Sequence, residues 1–204
     1  PKGIVERLSR RDGFEGDWIE INISSHNDQL TSFSFAASVA GVKSDGFISD
    51  NGKTWDGNWN PIWYLKTNID QEGWTAEIKI PLSQLKFSDL PEQVWALQST
   101  RRYFRTEERS VWQRIPLDAP GWVSEFGELR GLIGLSPKRQ IEIQPFVLSK
   151  LETYPAQEGN PFKTGNDFKL NGGLDAKIGV TNDLTLNLTI NPDFGQVEAD
   201  PSTI

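Results

Sequence analysis

Apolar and polar side chains alternate with a period of two along most of this chain, most clearly in its last third. Leu174, Ala176, Ile178 and Val180 alternate there with Asp175, Lys177 and Gly179. After Thr181-Asn182-Asp183 the pattern resumes as Leu184, Leu186, Leu188 and Ile190 against Thr185, Asn187 and Thr189. A period of two sends successive side chains to opposite faces, so both runs are predicted β-strands. A hairpin loop over 181–183 sets Val180 opposite Leu184, Ile178 opposite Leu186, Ala176 opposite Leu188 and Leu174 opposite Ile190. One face is then apolar and the other wet. Such hairpins build transmembrane β-barrels and ordinary soluble sheets alike.

The earlier part of the chain also reads as all-β. Ile4 to Leu8 is a short candidate strand. Asp17 to Ile23 puts Ile19, Ile21 and Ile23 on one side, and Thr31 to Ala40 does the same with Phe33, Phe35, Ala37 and Val39. Phe47 and Ile48 lead into a turn at Ser49-Asp50-Asn51-Gly52, where Asn-Gly is a strong turn signal. Ile62 to Ile69 is rich in β-branched and aromatic residues; Trp74 to Ile80 alternates and stops at Pro81. Pro81 to Phe87 has room for one helical turn. Val94 to Phe104 and Ser110 to Ile115 flank the charged loop 105–109, and Phe126 to Leu129 closes the series. Short strands separated by turns predict an antiparallel β-sandwich over 1–135. A polar linker follows over 136–140, and 141–204 forms a second region. In that region Ile141 to Tyr154 is expected to be broken by Pro145, and Pro155 to Asn166 is a loop.

Composition narrows the function. The net charge of -7 argues against nucleic acid, which needs a basic surface. With no Cys there is neither a disulfide nor a thiolate metal site. No apolar run approaches the ~20 residues of a membrane helix. The chain opens on Pro1 rather than Met and stops in mid-pattern at Ile204, so it is read as a piece of a longer protein.

The segments DWIEINI, SFSFAASVAGVKSDG, WNPIW, GWTAEIKIPLSQLKF and FGELRGL resemble the later strands of a family-nine-type carbohydrate-binding domain. TINPDFGQVEADPSTI, from Thr189 to Ile204, resembles the junction where such a domain passes into an uncharacterised outer-membrane β-barrel domain of Gram-negative surface proteins. The resemblance implies a sandwich whose first strands precede Pro1, followed by the opening strands of a barrel that continues past Ile204. It implies a glycan ligand and an outer-membrane location for the parent protein. The family's two ligand-sandwiching tryptophans do not align onto particular positions here.

Candidate site residues therefore come from loop context. Trp55 and Trp59 sit among Asp56, Gly57, Asn58 and Asn60, and Trp122 follows Ala119-Pro120-Gly121. Aromatic planes stack on the C–H faces of sugars, while amides and charges fix the polar edges. The competing role for each ring is to plug the end of a sandwich core, which is the role expected of Trp63. Arg101 is a candidate for sugar or carboxylate hydrogen bonds, although Arg101, Arg102, Arg105, Arg109 and Arg114 as a set are expected to pair with carboxylates such as Glu107 and Glu108. The carbohydrate-binding candidates are thus Trp55, Trp59, Trp122, Asp56, Asn58 and Arg101. Asp45, Asp50, Asn51 and Asp56 could hold a structural Ca²⁺, which the resembled family often carries, but no EF-hand spacing occurs. No cofactor is expected. Haem would need axial His or Met, and the chain has one His and no Met. No HExxH or GxSxG motif appears, and His26 reads as a solvated turn residue. The expected function is a non-catalytic carbohydrate-binding module of an outer-membrane barrel protein. A structural or plug domain of a transport barrel is the alternative, and part of a glycoside hydrolase a second one.

Overall fold

The computed structural model describes residues 3–156, 158–160, 165–181 and 184–192. These form two compact units, 1–138 and 139–204. Among the described residues there is no α-helix. The strands of the first unit are β1 (Trp18–Ser24), β2 (Ser32–Ser38), β3 (Lys43–Ser49), β4 (Thr54–Asp56), β5 (Tyr64–Ile69), β6 (Trp74–Lys79), β7 (Glu92–Tyr103), β8 (Glu108–Val111) and β9 (Gly127–Ile133). The second unit holds β10 (Ile141–Thr153), β11 (Asn166–Gly179) and β12 (Thr185–Ile190).

The large sheet of the first unit has seven antiparallel strands in the order β4-β3-β2-β1-β7-β8, with β9 also paired to β7. Phe33, Phe35, Ile23 and Trp95 point to one face of it and form a core with Trp63, Leu85 and Phe87. Leu65 of β5 and Ile78 of β6 pack on that core, so the β5–β6 hairpin makes a second layer in a sandwich-like arrangement. A two-stranded hairpin is marginal alone and depends on such packing.

Several elements depart from the sequence reading. Ile4 to Leu8 contributes a single bridge, Glu6 to Gly16, because Asp17 takes the backbone of Val5: its carboxylate accepts from the Val5 N–H at 2.9 Å and its own N–H donates to the Val5 carbonyl at 3.0 Å. β3 starts four residues before Phe47, since its outward positions Ser44 and Gly46 are small and interrupt the apolar pattern. The 3-10 turn Asp50–Gly52, with positive φ at all three residues, folds the chain back at once, so Trp55 and Asp56 lie in edge strand β4 rather than a loop. Trp63 precedes β5 and is 1% exposed, a core residue as expected.

Asp45 ties the first unit together. Buried on β3, it accepts from the Trp63 indole N–H at 2.9 Å and the Arg11 guanidinium at 2.6 Å. Lys43 donates to the Trp63 carbonyl at 2.7 Å and lies over its ring. Burial, with the Arg11 charge adding to it, lowers the Lys43 pKa, and Asp45 opposes them.

In the second unit the expected hairpin register is present: Leu174 faces Ile190, Ala176 faces Leu188 and Ile178 faces Leu186, while Val180 donates to the Leu184 carbonyl at 2.9 Å. Asn182 and Asp183, the tip of that hairpin, lie outside the described residues. Pro145 does not break its strand; β10 runs unbroken from Ile141 to Thr153. It is an edge strand, with partners on one side only, so a missing N–H on the other side forfeits no ladder bond.

Asp45→Ala leaves the Trp63 indole unpaired and Arg11 with only the more distant Asp12 carboxylate at 3.9 Å. It should cost about 2–3 kcal/mol in urea unfolding followed by tryptophan fluorescence. In the β1–β2 turn, Asp28 accepts from the Leu30 and Thr31 amides and from the Thr31 hydroxyl. Burial raises its pKa, but the Thr31 and Leu30 hydrogen bonds outweigh that and hold it below the ordinary 3.8. A lowered folded pKa stabilises above the unfolded value and is lost as pH falls through the folded one. The stability curves of the parent and Asp28→Ala should therefore differ at neutral pH and converge in acid.

Candidate functional site

The large sheet turns two unlike faces outward. Ile19, Ile21, Ile23, Phe33, Phe35 and Leu97 alternate onto the core face. Glu20, Asn22 and Ser24 of β1 alternate onto the other, beside Ser32, Ser34 and Ala36 of β2 and Ala96, Gln98 and Thr100 of β7. Asn22 stands opposite both Ser34 and Gln98. This second face is polar, yet Asn22, Ser24, Ser32, Ser34, Gln98 and Thr100 are all buried.

Two irregular segments cover it. Residues 12–16 run from the free edge of β3, where the Asp12 N–H donates to the Lys43 carbonyl at 3.1 Å, to the start of β1, with Phe14 stacked on Trp18. Residues 112–126 form a strap between β8 and β9. Gln98 pins one end: its amide donates to the Gln113 carbonyl at 2.8 Å and accepts from the Gln113 N–H at 2.9 Å. Asn51 pins the other end. Its backbone carbonyl accepts from Trp122 at 2.8 Å, its side-chain oxygen accepts from the Ser124 N–H at 2.9 Å, and its side-chain nitrogen donates to the Ser124 hydroxyl at 3.1 Å. Gly52 and Gly121 leave room for this approach, since a Cβ on either would strike Trp122 or Asn51 respectively. From β7 to the β3–β4 turn and back, the strap crosses β1 and β2.

The six sequence candidates do not converge. Trp55 pairs with Ile48, which stands opposite Ser32, so its ring belongs to the polar face. It is 50% exposed and lies over Gly46, where any Cβ would collide with the ring. Trp122 packs against Gly52 in the neighbouring turn, edge-on to Phe126. Asp56 holds Asn58 in a turn, accepting from its N–H at 2.9 Å and its side-chain amide at 3.1 Å. Trp59 is on the opposite side of the sheet, half-buried against Phe33 at 4.9 Å and Phe35 at 5.4 Å between ring centroids. It fills the role of a core plug and shares no platform with Trp55.

Arg101 also lies on the core face, away from the tryptophans. It lines an open cleft of about 510 Å³ with Ile19, Ile21, Trp74, Ala76 and Ile78. Its guanidinium stacks on the Tyr103 ring, as does that of Arg105, while Arg109 lies over Trp18. The arginine set thus reaches carboxylates only in part, through Arg102 and Glu107. Three of the four calcium candidates are committed elsewhere: Asp45 to Arg11 and Trp63, Asn51 to the strap, Asp56 to Asn58. Among the described residues no three His, Cys, Asp or Glu side chains converge.

Sequence reasoning missed Asn22, Ser24, Ser32, Gln98 and Thr100. Their outward positions in alternating strands read as solvent-facing, and nothing local announces the strap that buries them.

The second unit presents its faces differently. Ile141, Ile143, Val147 and Leu151 of β10 share one face with Phe168 and Leu170 of β11 and Leu186, Leu188 and Ile190 of β12, and all of these are exposed. The opposite face carries Lys150–Glu152 and Lys169–Asp167 ion pairs and Asp175, Lys177, Asn187 and Thr189. Among the described residues no helix is long and apolar enough to cross a membrane, which says nothing about crossing by strands.

The chain is thus an all-β protein of two antiparallel units. Residues 137–204 match a family described as a domain of unknown function (DUF5916). No curated protein and no solved structure gives a significant match.

Gly46→Ala should push the Trp55 ring off the sheet and raise its solvent exposure. Acrylamide quenching checks this, as the difference between the variant and its Trp55→Phe double mutant.

Proposed function

We propose that the chain belongs to a Gram-negative outer-membrane protein, its first unit a non-catalytic glycan-binding module and its second the opening strands of a membrane β-barrel. The carrying observation is the second unit's sheet. Its three strands put exposed Ile, Val, Leu and Phe side chains on one side, with Ser149 among them, and on the other mostly charges and amides, with Phe146 and Leu148 among them. Water disfavours an apolar face of that extent, whereas lipid outside and water inside a barrel suit both faces at once. β10 and β11, at 13 and 14 residues, are long enough to span the hydrocarbon layer.

Support for the glycan half comes from the first unit. Trp55 lies over Gly46 with half its surface open, and Gly57 adjoins its indole nitrogen. A half-open aromatic ring suits the apolar face of a pyranose.

A structural or plug role is the second reading, favoured by the cleft. There the inward side chains of β6 and Ile19 and Ile21 of β1 are only half covered, and β6 has a free edge where an extended strand could add. On that reading, removing the first unit from the reconstituted parent protein changes its conductance and no sugar binds.

Two outcomes test the proposal. In titrations of glycans against tryptophan fluorescence, Trp55→Ala should weaken binding about tenfold, the loss of one stacked ring. In vesicle-reconstituted parent protein, Leu188→Arg should cost about 2–4 kcal/mol of folding stability, while Asn187→Arg on the polar face should be tolerated. Equal effects of the two arginines would remove the membrane assignment.

A further inference from the structure

We propose that the polar face beneath the 112–126 strap is the hydrogen-bonding floor of the glycan site, reached when the strap lifts away from Asn51. This rests on the glycan reading above and names where the sugar goes.

The unusual feature of that face is unmet hydrogen bonding. Both side-chain polar atoms of Asn22 and the hydroxyls of Ser24, Ser32 and Thr100 are fully buried and have no partner. All four side chains are at most 1% exposed. A buried polar atom left unpaired costs about 1–3 kcal/mol, and native domains hold few of them. Four such side chains on neighbouring positions of β1, β2 and β7 form one patch, not scattered accidents. Apolar side chains at the same places would make a more stable sheet. Their retention is accounted for if a guest completes the hydrogen bonds.

The atoms define that guest. The floor has hydroxyls and an amide, groups that both donate and accept; Arg102, next on the same face of β7, is already paired with Glu107. The one carboxylate beside them, Glu20, already accepts from the Ser34 hydroxyl at 2.7 Å. A neutral molecule rich in hydroxyls fits this set; an anion does not. Strands about 4.8 Å apart make the patch about 10 Å wide across β7, β1 and β2, room for a sugar ring together with its hydroxyls. Trp55 continues the same row, since it faces Ile48, Ile48 faces Ser32, and Ser32 adjoins Ser24. One ring of a chain can stack on Trp55 while the next lies on the floor.

The strap's far end is held by hydrogen bonds to the single residue Asn51, at a φ of 52° that asparagine tolerates. Val123 is the strap's buried apolar anchor, at 1% exposed.

The test compares Asn22→Leu and Thr100→Val with Trp55→Ala in the whole chain. The probes are α- and β-linked disaccharides of glucose, xylose and N-acetylglucosamine. Asn22→Leu should melt no lower than the parent yet bind the recognised disaccharide at least tenfold more weakly. Thr100→Val, nearly the same shape, should show the same split and covers the case in which leucine does not fit. Hydrogen exchange of the strap amides should change when the disaccharide binds. Unchanged affinity in both floor variants, with Trp55→Ala still impaired, overturns the floor and leaves the surface stacking reading standing; the buried atoms would then hold internal water only. No binding of any disaccharide to the parent overturns both readings together.

Discussion

The structure of the first unit depends on one constraint: the central strand β2 is buried on both faces. All seven residues from Ser32 to Ser38 are excluded from solvent. Alternation sorts them, so that Phe33 and Phe35 enter an apolar core while Ser32, Ser34 and Ser38 enter a polar layer. Burying phenylalanine against Trp63, Trp59 and Phe47 gains hydrophobic free energy. Burying serines gains little and loses their hydration. The sheet therefore separates a side that stabilises from a side that must be stabilised by something else. Part of that comes from within: Ser34 reaches Glu20, and Gln98 reaches the strap.

The two coverings of the sheet differ accordingly. The core side is closed by the β5–β6 hairpin, through Leu65 and Ile78, and by Trp63, Leu85 and Phe87, with the buried Asp45 and Trp63 joined to Arg11. The polar side is closed by irregular chain pinned by a few amide contacts at Asn51 and Gln98. Packing of large rings is hard to undo locally, whereas a few hydrogen bonds and the one buried Val123 are easier to give up. Rigidity and adaptability are thus distributed to opposite faces of one sheet. The aromatic ring proposed for ligand stacking, Trp55, sits at the boundary of the adaptable face.

The second unit obeys the same alternation with the opposite outcome. On its apolar face, among the described residues, Ile141 and Leu186 are exposed and Ile178 between them is half-buried. In the first unit the equivalent side chains are buried by a core; here most of them are exposed. That contrast between two sheets made from similar residues is what the membrane proposal explains.

The sequence by itself determined most of the strands, though not β4 or the continuity of β10, and the hairpin of the second unit with its register. Those features are local: a side-chain period of two and a short turn leave little freedom in which residues oppose each other. It also placed Trp63 in the core, and it pointed to Trp55. Tertiary structure decided the rest. Trp55 and Trp59 are four residues apart, yet the short β4 strand and the turn after it send them to opposite faces of a sheet. Asn22, Ser24 and Ser32 look solvent-facing in sequence because polarity in an alternating strand says which residues share a face, not what lies over that face. The cover comes from residues about 90 positions further along the chain, held by Asn51 and Gln98, and contacts at that separation leave no periodic trace in either segment.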